Sequence, residues 1–215
     1  MKKISLKRCP WPGNNPIMIK YHDQEWGVPE KNDRKLFEFL ILEGAQAGLS
    51  WNTVLNKREN YRKAFDQFDP DKIALYKGKK IKSLLADAGI IRNKLKIKSS
   101  VNNAQRFLEV RQEFGSFAKY MWRFVDGKPV VNKFRHISEL PASTKVSDAM
   151  SKDLKQRGFK FVGSTICYAH MQAVGMVNDH LVDCYRIEKS IKMLEKLFLN
   201  VFDRIYRINW IINSF

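Results

Sequence analysis

Two pairs of metal-ligating side chains stand at opposite ends of the chain. Near the start, Cys9 is followed by His22 after twelve intervening residues; near the end, His180 and Cys184 lie four apart. Two thiolates and two imidazoles make a complete tetrahedral zinc set. A spacing of four puts both late ligands on one helix face if helix continues that far. The two halves are distant and the first lacks the tight spacing of a zinc finger, so a packing role stays open for each residue. A second centre of chemistry is Glu43, which falls on a stripe formed by Leu36, Phe39, Leu40, Glu43 and Ala47. A carboxylate therefore interrupts an apolar helix face, and a buried carboxylate needs hydrogen bonds or a cationic partner. A structural partner is the ordinary answer for an isolated Glu. Here Tyr21, Trp26 and Trp51 flank the helix in sequence, and aromatic faces around one acid suit a flat cationic base. Ordinary core is the alternative for each ring.

A third group of residues could meet phosphate. The segment LLADAGIIRNKLKI, residues 84–97, reads as helix, glycine turn and helix, and so resembles a helix-hairpin-helix. Turn amides and the start of the following helix can hold a DNA phosphate. Arg92, Lys94, Lys96 and Lys98 cluster there, behind Lys79, Lys80 and Lys82. A solvated basic helix face is the plain alternative. Gly163-Ser164-Thr165 opens another helix and offers either an anion site or a simple cap. Cys167 lies among apolar residues and reads as a small core side chain.

The elements that must position these groups are helical. Asn32 or Asp33 caps a helix over 33–43, with Leu36, Phe37, Leu40 and Ile41 turned inward. Trp51, Val54, Leu55, Arg58, Tyr61 and Phe65 recur at three- and four-residue steps and predict a helix over 51–65. Asp69-Pro70 opens a short helix, with proline at its first position. Further helices are expected over Lys79–Asp87, Lys94–Glu113, Ser116–Phe124, Ser147–Gln156 and Ser164–Asn178. Gly127, Pro129 and Pro141 make Asp126–Thr144 a loop. Strand patterns are nearly absent, so the fold class is all-α. Beyond Cys184, residues 187–215 alternate apolar clusters with Lys and Arg, which predicts an amphipathic helix on the body. A membrane-surface helix is the other reading of that tail. The chain therefore divides into a main domain, residues 1–186, and a C-terminal extension, residues 187–215.

Lys and Arg outnumber Asp and Glu by 39 to 22, a net charge of +17 that favours phosphate backbones. With 44% hydrophobic residues the chain can bury a core, which excludes a disordered tail. Three cysteines argue against a disulfide framework and for a reduced cytoplasm. The basic N-terminus has no long apolar run after it and does not read as a signal peptide. No stretch approaches the ~20 apolar residues of a membrane span.

Taken together, the motifs YHDQEWGVPE (21–30), LFEFLILEGAQAGLSW (36–51), DAGIIRNKLKI (87–97) and RGFKFVGSTICYAHMQAVGMVNDH (157–180), with Cys9-Pro10-Trp11, resemble the 3-methyladenine DNA glycosylase I family. The resemblance runs from about Arg8 to Cys184. It implies a helix-hairpin-helix base-excision fold with two helical lobes around a cleft. It implies a structural zinc on Cys9, His22, His180 and Cys184, which joins the chain ends. It implies a base pocket at Tyr21, Glu43 and Trp51, and Leu49 filling the gap left by the flipped nucleotide. The implied reaction removes 3-methyladenine from alkylated double-stranded DNA, releasing the free base and leaving an abasic site, with no lysine Schiff base and no strand cleavage. A cytoplasmic monomer is expected. The tail after Cys184 departs from the family's short end. Two rival classes stand beside this reading: a zinc-stapled DNA-binding module without catalysis, and a metallohydrolase with catalytic zinc. Glu43 on an apolar stripe speaks against the first. Four protein ligands, which leave no open position for water, speak against the second.

Overall fold

A computed structural model describes residues 6–187. The expected amphipathic helix of the C-terminal extension lies outside the described residues, but for Ile187 at their end. Nine α-helices make up most of the described chain: α1 (Pro16–Gln24), α2 (Asp33–Gln46), α3 (Trp51–Ala64), α4 (Pro70–Ile73), α5 (Gly78–Ala86), α6 (Lys94–Phe114), α7 (Phe117–Trp122), α8 (Lys145–Gln156) and α9 (Ser164–Ala173). The helical class expected from periodicity is therefore observed. None of the described helices is long and apolar enough to cross a membrane.

Local chemistry accounts for the helix starts. Asn32, Asn93 and Ser50 each cap a helix with a side-chain oxygen: Asn32 accepts from Lys35 N–H, Asn93 from Leu95 and Lys96 N–H, and Ser50 from Thr53 N–H. Asp69 does the same for α4, whose first residue is Pro70. Thr144 and Ser147 form a reciprocal capping box on α8. Helix α1 is not among the helices expected from periodicity, although its signals are of the same kind: Asn15 accepts from Ile17 and Met18 N–H, and Pro16 takes the first helical position.

Two expectations require correction. The helix expected over Ser164–Asn178 stops at Ala173, because Gly175 takes a φ of +65° at an approach so close that a Cβ there would lie 2.2 Å from the Val28 carbonyl carbon. Beyond it, β2 (Val177–Asn178) pairs in parallel with β1 (Val130–Val131), which lies within the expected loop. Such short pieces carry too few residues to show an alternating pattern. Consequently His180 and Cys184 do not share a helix face. They bracket a turn closed by Cys184 N–H donating to the Leu181 carbonyl.

At the centre stands α2, buried on every side from Leu36 to Ala45 and packed against α3, α6, α7 and α9. The stripe expected from the sequence is thus one face of a helix enclosed all round. Arg58 of α3 reaches it through a buried ion pair with Glu38, Nε to Oε1 at 2.6 Å, and also pairs with Glu25 at 2.7 Å. Its guanidinium lies 4.9 Å from the Phe39 ring centre. Together these interactions fix α1, α2 and α3 relative to one another.

Candidate functional site

Two centres of chemistry meet on α1, whose adjacent residues Tyr21 and His22 are both buried and serve one centre each. Around His22, the structure brings together all four ligands anticipated from the sequence. Cys9, His22, His180 and Cys184 are buried, and their ligand atoms lie within 4.8 Å of one another. Cys9 Sγ is 3.6 Å from His180 Nδ1, and Cys184 Sγ is 3.5 Å from both His22 Nε2 and His180 Nδ1. Zinc bonds of about 2.3 Å to sulfur and about 2.0–2.1 Å to nitrogen, at tetrahedral angles, place S and N about 3.5–3.6 Å apart.

The tautomers agree with a cation-binding role. His180 Nε2 donates to the Trp26 carbonyl at 3.0 Å, and His22 Nδ1 donates to Asp23 Oδ1 at 2.8 Å. The outer nitrogen of each imidazole is thus oriented by an acceptor, and its inner nitrogen is directed at sulfur. Asp23 is itself held by Arg8, whose Nε donates to both carboxylate oxygens at 2.9 Å. Burial opposes ionisation of Asp23, but hydrogen bonds from Arg8 and His22 pull its pKa down to about 2. Four buried soft and borderline donors converging in this way could hold a metal ion. Cys167 lies elsewhere. It is buried in α9 with its thiol pushed up to about 12, mainly by burial, which fits an inert core residue.

The second centre lies beside Tyr21. Its ring packs 5.3 Å from Trp51 and 6.3 Å from Phe39, centre to centre, and Trp11 stands edge-on at 6.2 Å. Trp26, expected as a pocket aromatic, lies instead against the metal-ligand set, 4.7 Å from His180 and stacked near His22. Trp11, which no spacing in the sequence singles out, touches both centres.

Glu43 is 3% exposed and, among the described residues, makes no hydrogen bond or ion pair. Burial alone pushes its pKa up to about 8. Its charge in turn acts on Tyr21, whose pKa is raised well above the ordinary phenol first by burial and then by Glu43. The contrast with Glu38, one and a half turns earlier on the same helix, is informative. Glu38 is buried and paired with two arginines, the structural answer expected for an isolated acid; Glu43 has no such answer. Beside Tyr21, the Trp51 and Trp11 indole N–H groups are fully buried without a partner among the described residues. Unsatisfied buried polar atoms are rare and require an explanation, of which a ligand is one.

The residues expected to meet DNA take varied positions. Leu49 is 42% exposed, in the turn between α2 and α3 that contains Gly48 at φ +76°. Arg92 is exposed in the turn before α6, and Lys94 is exposed at its first position. Lys96 turns inward, its Nζ donating to the Ala45 and Ala47 carbonyls at 2.8 and 2.6 Å. Several amides of this turn are engaged inside the protein: Gly89 N–H by Asp87, Ile91 N–H by the Tyr61 hydroxyl, and Leu95 and Lys96 N–H by Asn93. Ser164 and Thr165 lie at the start of α9, which has Gly163 as its cap and no side chain bonded to its first amides.

Comparison with known proteins places these features in a wider set. Residues 11–187 match the family model for methyladenine glycosylases. DNA-3-methyladenine glycosylase 1 of Escherichia coli (strain K12) is 53% identical over 179 residues, covering 83% of this chain and 96% of that protein. A crystal structure of a 3-methyladenine DNA glycosylase I superposes with a TM-score of 0.81 at 52% identity, covering 83% of this chain and 98% of the other. A Staphylococcus aureus 3-methyladenine DNA glycosylase I, solved to explain its recognition of 3-methyladenine, gives a TM-score of 0.81 at 37% identity, covering 84% of this chain and 96% of its own.

Proposed function

The chain belongs to the methyladenine glycosylase family, and we propose on that premise that it excises 3-methyladenine from alkylated double-stranded DNA. The product set is the free base and an abasic site. One observation carries the site assignment: a buried carboxylate, Glu43, without a hydrogen-bond or ion-pair partner among the described residues, whose charge acts on Tyr21, itself packed against Trp51. Methylation at N3 gives the adenine ring a positive charge and weakens its glycosidic bond, so the enzyme need not protonate the leaving base. Its task is to extract the base and favour its departure. Tyr21 and Trp51 offer ring faces to the cation. Glu43 accepts hydrogen bonds from the purine edge and supplies the opposite charge, which a neutral adenine cannot exploit to the same degree. Water completes hydrolysis at C1′. No lysine is required as a nucleophile, so strand cleavage is not part of the activity.

The metal set fits a structural zinc on Cys9, His22, His180 and Cys184. Sulfur-to-nitrogen spacing, burial and oriented imidazoles all support that ion. When bound, zinc contributes a cross-link between the chain's early and late segments rather than Lewis-acid chemistry, because four protein ligands leave no open coordination position. The base pocket depends on this arrangement through Tyr21: its neighbour His22 is a ligand, so the ion would fix α1 and with it one wall of the pocket.

We assign residues 1–186 to the glycosylase domain and take α5, the 87–93 turn and α6 as its helix-hairpin-helix. Two helical lobes would then flank the cleft, with α2 as their shared wall. DNA phosphates would meet Arg92, Lys94 and the start of α9 at Ser164 and Thr165, whose first amides no capping side chain engages, while Leu49 enters the gap left by the flipped nucleotide. We take the protein as a monomer acting in a reducing, cytoplasmic compartment; the three free thiols support the compartment. The test is direct. Purified chain is incubated with methylated duplex DNA, and released bases and strand breaks are followed separately. Release of 3-methyladenine without breaks before alkali treatment is expected. Absence of base release would overturn the assignment, and breaks formed concurrently would overturn the monofunctional mechanism.

A further inference from the structure

The last carbonyls of a helix have no partners within it. At the end of α2 that need is met from an unexpected quarter. Lys96, at the third position of α6, sends its ammonium back to the Ala45 and Ala47 carbonyls, 2.8 and 2.6 Å away and separated from it by 51 and 49 residues in sequence. A cation is favourable at a helix C-terminus, and hydrogen bonds from a charged donor are stronger than neutral ones. Within the turn itself Leu49 N–H donates to the Gln46 carbonyl, and at its far end Ser50 caps α3 through Thr53; the Lys96 ammonium is what ties it to α6. Gly48 takes a left-handed conformation, with φ at +76°, which turns the chain sharply between α2 and α3. What the turn carries is functionally dense. Glu43 lies one turn before it on α2, Leu49 is its exposed tip, and Trp51 begins the next helix. On the Lys96 side, Arg92 and Lys94 stand exposed immediately before and at the start of α6.

We propose that Lys96 is a positioning residue that clamps the start of α6 to the turn 47–50, so that the part of the protein engaging the DNA backbone sets Leu49 in register with the gap left by the extruded nucleotide. The inference rests on the assignment of that turn to the DNA face. It differs from reading Lys96 as one more phosphate ligand, since both carbonyls compete with a phosphate for the same ammonium. A solvent-facing lysine would have no such anchor, and a plain helix cap would not join these two segments.

The experiment uses the full chain with Lys96→Met, and with Leu49→Ala as a separate variant. Three quantities are measured: the single-turnover rate of base release from methylated duplex at saturating enzyme, the affinity for free 3-methyladenine by tryptophan fluorescence, and the salt dependence of duplex binding. For Lys96→Met the turnover rate should fall about tenfold, the scale of a lost charge-assisted hydrogen bond, while free-base affinity and the salt slope stay as in the parent. A fall in rate without a fall in binding is the signature of an interaction made on the way to the transition state. An unchanged rate would overturn the proposal. So would a loss confined to DNA affinity with a flatter salt slope, which would make Lys96 a phosphate ligand after all. Equal loss of free-base binding would also overturn it, by assigning Lys96 to the pocket's integrity. If Leu49→Ala excises normally, the assignment of the turn to the DNA face fails, independently of the Lys96 result. Should Lys96→Met not yield folded protein, Lys96→Gln is judged by the same criteria.

Discussion

Replacing Glu43 by Gln should make the protein more stable and less active at once. The stability side follows from burial. Glu43 is 3% exposed, has no partner among the described residues, and has its pKa pushed from 4.5 to about 8 by desolvation. Because the folded state holds this proton more tightly than the unfolded chain, stability contributed by the site is fully present below pH 4.5 and is lost as pH rises toward 8. At 1.36 kcal/mol for each pH unit of displacement, the carboxylate burdens the folded state by about 3 kcal/mol at pH 7 and approaches about 5 kcal/mol above pH 8, both upper bounds. Gln keeps the shape and carries no charge, so the variant should lose this pH dependence. At roughly 2–4 °C per kcal/mol for a chain of this size, its melting temperature at pH 7 should rise by about 10 °C. The activity side has the opposite sign. A cationic base entering the pocket favours the ionised carboxylate, so losing that charge should lower excision of 3-methyladenine about 10- to 100-fold, the scale of a charged hydrogen bond. Calorimetric melting between pH 5 and 9 and single-turnover base release measure the two effects on one preparation. A variant that melts with the parent's pH dependence, or excises at the parent's rate, would refute this role for Glu43.

Three further outcomes are expected. Cys184→Ser should abolish stoichiometric zinc, read by atomic absorption, and lower the melting temperature, since metal binding is linked to folding; retained zinc with unchanged melting would remove the metal from the account. Arg92→Glu with Lys94→Glu should weaken binding to any duplex and reduce the slope of log affinity against log salt by about 0.9 for each phosphate no longer neutralised, leaving selectivity for the methylated base intact; an unaltered slope would move the phosphate site elsewhere. Gly175→Ala should destabilise the fold by more than the roughly 1–2 kcal/mol cost of a left-handed residue, because its Cβ would also strike the Val28–Pro29 backbone; urea unfolding with a parent-like midpoint would contradict that packing.

Much of the candidate site was legible in the residues because its signals are local. A carboxylate on an apolar stripe is visible from a 3.6-residue period, and Glu43 is indeed enclosed in α2. Asparagine, serine and aspartate caps mark helix starts with their own side chains, so the starts of α2, α3, α4 and α6 lie within a residue of expectation. The four metal-ligating residues could be named as a set because cysteine and histidine are few, although only the fold could bring Cys9 and His22 to His180 and Cys184.

Tertiary structure decided the rest, wherever the answer depended on what lies across the chain. In the sequence Glu38 and Glu43 are alike, two acids on one helix; only the arrival of Arg58 and Arg62 makes one a structural ion pair and leaves the other unpartnered among the described residues. Trp26 and Trp51 both flank that helix in sequence, yet the turn after α1 places Trp26 against the metal ligands and Trp51 against Tyr21. Lys96 reads as one of a row of basic residues until the end of α2 is seen to lie within reach of its ammonium. A helix period reports which face a residue occupies, because that geometry repeats every few residues. Which partner meets that face is set by packing between residues far apart in the chain, and no local spacing encodes it.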